Sequence, residues 1–184
     1  MNIDVKGRII VSTNHVNMEK YRELMKNIEE NSSNAKITTK VVGKWVFKKG
    51  LPQFTSNIEV EGGSFKVEAD MPSKLGGWGT QPSPLHYCLY GLASCYAFTF
   101  AALAAMEGIT LKKLEIEAES HLDVSNVFGL SENPLAEEVK WNVIVDSDAD
   151  EEKIEKLKKL AEERCPAVYC LTNPIKLTVD LVKL

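Results

Sequence analysis

Apolar side chains recur along this chain with two different spacings, and the changes between them mark its elements. Ile37, Thr39, Val41, Trp45 and Phe47 share one parity while Lys40 and Lys44 take the other, as in a half-buried strand. After Lys49-Gly50-Leu51-Pro52, a second strand carries Ile58 and Val60. The hairpin signal Glu61-Gly62-Gly63-Ser64 then leads into Phe65, Val67 and Ala69, so the front of the chain predicts a three-stranded antiparallel meander. Further on, Leu114, Ile116 and Ala118 alternate with Glu115, Glu117 and Glu119. Val139, Trp141, Val143 and Val145 form another alternating run, and Ile175, Leu177, Val179 and Leu181 a last one. A short strand is also expected over residues 5–11.

Helical spacing appears three times. Val16, Tyr21, Leu24, Met25 and Ile28 predict a helix over residues 14–30. Ser83-Pro84 is a start signal, with a serine cap and a proline suited to the first helical position, for a helix running to about Glu107 and closed by Gly108. At 1.5 Å per residue it is roughly 36 Å long. The third helix, over residues 150–164, places Ile154, Leu157, Leu160 and Ala161 on one stripe, with capping candidates in Asp146-Ser147-Asp148-Ala149-Asp150 and Pro166 just beyond its end.

The uncharged run from Leu75 to Met106 passes the length test for a membrane span. It nevertheless begins in a Gly/Pro-rich turn, contains His86, Cys88, Gly91, Ser94, Cys95 and Thr99, and lacks close flanking clusters of Lys or Arg. A buried central helix is the reading taken. The element order gives an α+β fold in which antiparallel sheets wrap a long central buried helix. One chain covers such a helix poorly, so a homodimer is expected in which each protomer's sheet helps enclose the other's helix. Residues 1–36 read as an N-terminal extension of short strand and helix, and residues 37–184 as the main domain.

Composition narrows the class. With 184 residues and 44% apolar side chains, the chain suffices for one domain of sizeable core. Lys plus Arg (22) against Asp plus Glu (26) leaves a net charge of −4 with the signs interspersed, which points away from nucleic acid and from anionic membranes as partners. Four cysteines are too few for a disulfide-stapled secreted domain, and the first residues lack the apolar stretch of a signal peptide, so a cytoplasmic protein is expected.

The chemistry resides in the thiols. Cys95 sits within the apolar helix and Cys165 follows the amphipathic one, and such a pair, if it meets, suits peroxide reduction, one sulfur being oxidised and the other rescuing it. The plainer reading makes Cys95 a small buried residue. Attack on a peroxide needs a thiolate, yet apolar surroundings raise a thiol's pKa, so a cation is required from elsewhere; His86, Arg164 and the hairpin lysines are candidates. Arg164 and Pro166 suggest that Cys165 is the more exposed thiol. Cys88, about 10.5 Å from Cys95 along one helix, lies beyond disulfide reach and is read as core, and Cys170 as a spare or partner for Cys165. Cys165, Cys170, His15, His86 and His121 show no compact ligand spacing, so neither metal nor cofactor is expected. His15 and His121 are read as surface or strand-edge residues, and Trp45, Trp78 and Trp141 as core or pocket wall, Trp78 nearest the site.

Four strings carry a resemblance: Gly76-Gly77-Trp78-Gly79-Thr80-Gln81-Pro82-Ser83-Pro84-Leu85, Leu92-Ala93-Ser94-Cys95-Tyr96-Ala97, Glu107-Gly108-Ile109 and Ala161-Glu162-Glu163-Arg164-Cys165-Pro166. Over residues 38–184 the chain resembles the OsmC/organic hydroperoxide resistance family. The resemblance implies an intertwined homodimer with composite sites and a thiol-dependent peroxidase that reduces organic hydroperoxides in oxidative stress. It makes Cys95 the peroxidatic thiol and Cys165 the resolving one, with a dithiol reductant, lipoyl-type in some branches, recycling the enzyme; from their positions near the expected site, His86, Trp78 and Arg164 are read as lining the substrate pocket. Leu85 and His86 stand where active members carry a glutamate, and no arginine lies between Arg22 and Arg164 to pair with the thiolate. This departure favours a second reading, a non-catalytic dimer that binds a small apolar or thiol-bearing ligand.

Overall fold

The computed structural model describes residues 2–3, 9–10 and 12–183, with mixed helix and antiparallel sheet. The chain forms two compact units, Met1–Arg22 with Gly91–Leu184 and, separately, Glu23–Tyr90. Helices α1 (Met18–Glu30) and α2 (Pro84–Met106) pass from one unit into the other.

The first unit opens with four two-residue strands, β1 (Asn2–Ile3) paired with β2 (Ile9–Ile10), and β3 (Ser12–Thr13) paired with β4 (Val16–Asn17). Of the strand expected over residues 5–11, only Ile9 and Ile10 fall within the described residues. Helix α1 begins four residues later than its apolar spacing suggested. The reason is local: Asn14 and His15, at φ 55° and 62°, form the two-residue turn between β3 and β4, a backbone that asparagine tolerates and a helix cannot contain. The Asn14 amide then bonds away from its own turn, donating to the carbonyl of Ile109 (2.8 Å) and accepting the N–H of Leu111 (2.8 Å).

The core of this unit lies where α2 meets a long hairpin, β8 (Leu111–Leu122) and β9 (Ala136–Ser147), and helix α3 (Glu151–Arg164). Leu114 opposes Val145, Ile116 opposes Val143 and Ala118 opposes Trp141, so one hairpin face is apolar. The other face sets Glu119 opposite Lys140 and Glu117 opposite Asn142 in the solvent. On α2, Tyr96, Phe100, Leu103 and Ala104 follow helical spacing into this core with Leu157 and Ala161 of α3, whereas Ala102 and Ala105 point to Val16 and Met18. Helix α3 is capped by Asp150, which accepts the Lys153 N–H at 2.9 Å. At the end of α2, Gly108 adopts φ 71° and the Ile109 N–H returns to the Ala104 carbonyl at 2.8 Å, the Schellman closure that a glycine here permits.

Helix α2 is long and apolar enough by length and composition to cross a membrane, and its last three turns are those packed into the core. It is not covered on most sides as expected: Leu85, Tyr90 and Phe98 are exposed in the single chain. The described chain also contains a helix the sequence reading missed, α4 (Pro166–Thr172), and forms no strand over residues 175–181, where Leu177 and Leu181 are 83% and 94% exposed. Alternation makes a segment fit for a ladder, but a ladder also needs a neighbouring edge, and this segment has none among the described residues.

The second unit holds the antiparallel sheet β5 (Gly43–Trp45), β6 (Phe54–Val60) and β7 (Gly63–Ala69), in that order. The strand expected over residues 37–47 shrinks to three residues, and Ile37 and Phe47 are 87% and 94% exposed. After β7, buried Asp70 organises the glycine-rich loop: its carboxylate accepts the N–H groups of Trp78 and Thr80 and the Thr80 hydroxyl.

Candidate thiol site

Cys95 and Cys165 are both in the first unit, on elements that reach the same core. Cys95 is on α2, one residue before buried Tyr96. Cys165 is the junction between α3 and α4: its N–H closes α3 on the Ala161 carbonyl (2.9 Å), and its carbonyl accepts the Tyr169 N–H (3.0 Å) in the first turn of α4. Proline at the first position of α4 explains the immediate restart, since its fixed φ suits the helix and no amide is lost. The two sulfurs stand 3.9 Å apart.

Their burial is the reverse of the expectation. Cys165 is 1% exposed, its side chain packed with Tyr96, Phe100, Leu157, Ala161 and Ala167, while Cys95 is half-buried. Arg164 points the polarity outward and leaves Cys165 on the apolar side of the junction. Cys88, expected in the core, is exposed, as is Cys170. Cys170 follows Cys165 by five residues, about 7.5 Å along a helix axis, too far for a direct disulfide on this backbone.

Burial is the largest influence on the Cys95 thiol and pushes its pKa up. The Ala167 N–H, a first-turn amide of α4 without a partner inside that helix, bonds to the sulfur and pulls the other way. The charges that Cys165 and Cys170 acquire on ionisation add to the upward push, and the net direction is up. This direction favours the neutral thiol of Cys95 over its thiolate. A donor from the peptide backbone has no signature in side-chain pattern, so only the proline start of α4 could have suggested the Ala167 contact.

Of the other expected site residues, Arg164 is in the first unit, exposed at the end of α3. His86 and Trp78 belong to the second. His86 lies in the first turn of α2, where Ser83 Oγ and His86 Nδ1 are 2.8 Å apart and Nδ1 also accepts the Ser83 N–H at 3.2 Å, the geometry of a capping box with imidazole in place of a carboxylate. Trp78 is half-exposed, with the Lys49 ammonium 5.6 Å from its ring centre. Among the described residues no three His, Cys, Asp or Glu side chains gather as a metal site.

Residues 77–180 match the family model described as OsmC-like protein. The chain belongs to the OsmC-like family. No curated protein matches the sequence. Among solved structures, the OsmC-like protein from Mycoplasma pneumoniae superposes with a TM-score of 0.52 at 21% identity, covering 73% of this chain and 89% of its own. An organic hydroperoxide resistance protein from Elizabethkingia anophelis, with thiocyanate bound, gives a TM-score of 0.54 at 15% identity and coverages of 74% and 91%. A protein from Psychrobacter arcticus described as a putative osmotic stress induced and detoxification response protein gives 0.53 at 18%, with 72% and 86% covered. At these identities the likeness establishes the OsmC-like fold.

Proposed function

We propose that this OsmC-like protein acts in the peroxide stress response as a thiol-dependent peroxidase on organic hydroperoxides, working through Cys95 and Cys165 in the cytoplasm. The observation that carries the reading is the 3.9 Å separation of the two sulfurs. In the first step the Cys95 thiolate attacks the peroxide oxygen distal to the alkyl group. The O–O bond breaks, Cys95 becomes a sulfenic acid, and the alkoxide leaves as alcohol after taking a proton. In the second, the Cys165 thiol displaces hydroxide from that sulfenic acid, giving a Cys95–Cys165 disulfide and water. A dithiol reductant then restores both thiols and is itself oxidised to a disulfide. Closing the sulfurs to about 2.05 Å requires movement of roughly 2 Å, within the range of side-chain rotation.

The working unit of this proposal is an intertwined homodimer. The exposed apolar residues Ile37 and Phe47 on either side of β5, the segment Ile175–Leu181, which pairs with no strand among the described residues, and the exposed positions Leu85, Tyr90 and Phe98 support it, since each offers apolar surface that a second copy covers. In the same reading, His86, Trp78 and Arg164 line the substrate pocket, residues 37–184 form the OsmC-like domain, and residues 1–36 extend it.

One observation favours the second reading, a non-catalytic dimer that binds a small apolar or thiol-bearing ligand. Burial raises the Cys95 pKa, and the glutamate and arginine of active relatives have no counterpart in this sequence. Thiol counting separates the two. Reduced protein receives one equivalent of cumene hydroperoxide, and free thiols are titrated after denaturation. The peroxidase reading expects two thiols lost per chain in wild type and none in Cys95→Ser. Unchanged thiols in wild type leave only the binding reading.

A further inference from the structure

The sulfur pair has a third thiol beside it. Cys165 is 1% exposed, Cys95 is half-buried and Cys170 is exposed, so the thiols of the first unit run from its core to the solvent. Helix α4 sets that order. Cys165 stands at its start with its sulfur 3.9 Å from that of Cys95, and Ala167, 6% exposed, belongs to the cluster against which Cys95 packs. Cys170 comes three residues after Ala167, about 4.5 Å along the axis and on the neighbouring position of the same helix side. Helical Cα–Cβ bonds lean toward the N-terminus, so the Cys170 side chain sets out back toward the turn that meets Cys95. The electrostatics agree, since ionisation of Cys170 bears on the Cys95 thiol.

The burial of Cys165 restricts how an oxidised pair is reduced. A thiolate that cleaves a disulfide must reach one of its two sulfurs, and in a Cys95–Cys165 disulfide one residue is closed to solvent and the other half closed. We propose that Cys170 is a third redox residue, the outlet through which the disulfide leaves the core: it attacks Cys95, and the bond presented to an external dithiol is Cys95–Cys170. This inference rests on the Cys95/Cys165 pairing of the proposed function. The exchange balances within the chain. The Cys170 thiolate forms a bond to the Cys95 sulfur, the Cys95–Cys165 bond breaks, and its electron pair goes to Cys165, which takes up the proton that Cys170 gave up. One thiol of the external dithiol then attacks the exposed Cys170 sulfur and releases Cys95 as a thiol. The second thiol of the dithiol closes on the first, which frees Cys170 and leaves the reductant as a disulfide. Carried by the same unit, Cys170 meets Cys95 at a higher effective concentration than a reductant in solution does.

The test oxidises reduced full-length protein with diamide, which links thiols without any peroxide. The chain is then blocked with N-ethylmaleimide at acidic pH and mapped by mass spectrometry without reduction. In Cys165→Ser the expected product is a single chain lighter by two hydrogens, with Cys95 and Cys170 in the linked peptides and Cys88 alkylated. A second arm follows the reduction of oxidised protein by dithiothreitol with acid quenching. Cys170→Ser is expected to form the Cys95–Cys165 disulfide as wild type does and to lose it about tenfold more slowly, while Cys88→Ser loses it at the wild-type rate. Equal melting temperatures of the reduced proteins show that the exposed serine leaves the fold intact. The proposal is overturned if Cys165→Ser gives no Cys95–Cys170 link within one chain, or if Cys170→Ser is reduced as fast as wild type. Because diamide stands in for the hydroperoxide, both arms are read whatever cumene hydroperoxide does, and the peroxidase reading falls separately, on thiols left unchanged by that peroxide.

Discussion

Asn14 gives the sharpest test of how the N-terminal segment is tied to the core. It occupies the left-handed region at φ 55°, its amide donates to the Ile109 carbonyl at 2.8 Å, and its carbonyl oxygen accepts the Leu111 N–H at 2.8 Å. A longer contact to the Ala101 carbonyl, 3.4 Å, adds little. In Asn14→Ala the two short bonds vanish and leave a half-buried carbonyl and amide unpaired, about 1 kcal/mol each at this degree of burial. Placing a Cβ-bearing residue without a compensating side chain in the left-handed region costs roughly 1 kcal/mol more. The sum is about 3 kcal/mol. Asn14→Gly removes the strain and keeps the loss of bonds, for about 2 kcal/mol. Asn14→Asp retains the acceptor for Leu111 but sets a carboxylate against the Ile109 carbonyl, and is expected to lose more than the single bond it sacrifices. Urea unfolding followed by circular dichroism measures the three variants. The alanine variant should also melt about 6–12 °C lower, from about 2–4 °C per kcal/mol in a chain of this size. The reasoning fails if Asn14→Ala lies within about 0.5 kcal/mol of wild type, or if the alanine and glycine variants cannot be told apart.

Three further outcomes follow from the same geometry. Alkylation of Cys95 by iodoacetamide should have its pH midpoint above the ordinary thiol value of about 8.5, because burial favours the neutral thiol. A folded-state pKa above the unfolded one stabilises the fold below the unfolded value and loses that contribution as pH rises through the folded one. Cys95→Ser should therefore flatten the alkaline limb of the stability profile. Asp123, bonded to the Ser125 side chain, to Asn133 and to the Ser125 N–H, is held at about 2. Its contribution is present above the unfolded carboxylate value near 4 and lost as pH falls through about 2, so Asp123→Asn should remove that acid limb in urea midpoints. Phe100, 0% exposed in the core of α2, should cost about 3–5 kcal/mol as Phe100→Ala, and a loss below about 1 kcal/mol by denaturant unfolding would contradict the packing described.

The elements most legible in the sequence were those whose signals are local. Helix α3 has a cap, an apolar stripe and a following proline, and it spans Glu151–Arg164 against an expected 150–164. The hairpin β6–β7 likewise turns at Glu61-Gly62. Where a boundary depended on contacts remote in sequence, pattern alone misled. Val16 has helical spacing with Tyr21 but belongs to β4, because the Asn14 side chain is committed to the end of α2 and the start of β8. Alternation from Ile37 and from Ile175 predicts strands, yet of the first segment only Gly43–Trp45 finds a partner, in β6, and the second has no neighbouring edge among the described residues. Helix α4 was passed over because seven residues give too little periodicity, although Pro166 directly after a cap position was a usable sign. At the thiol site, the residue types were visible in the sequence and the proximity of the sulfurs rested on the family resemblance. The burial of Cys165 and the Ala167 amide at Cys95 were not visible, since both arise from the way the chain turns at one junction.

That junction governs how any modification of Cys165 will be detected. Its peptide N–H terminates one helix and its carbonyl initiates the next, so the main chain there is anchored in both directions and the sulfur's freedom reduces to torsion about its own Cα–Cβ bond. Far-ultraviolet dichroism, which reports peptide geometry, will pass over a chemical change at this position. Intact-mass measurement, or the near-ultraviolet signal of the neighbouring Tyr96, is where such a change will register.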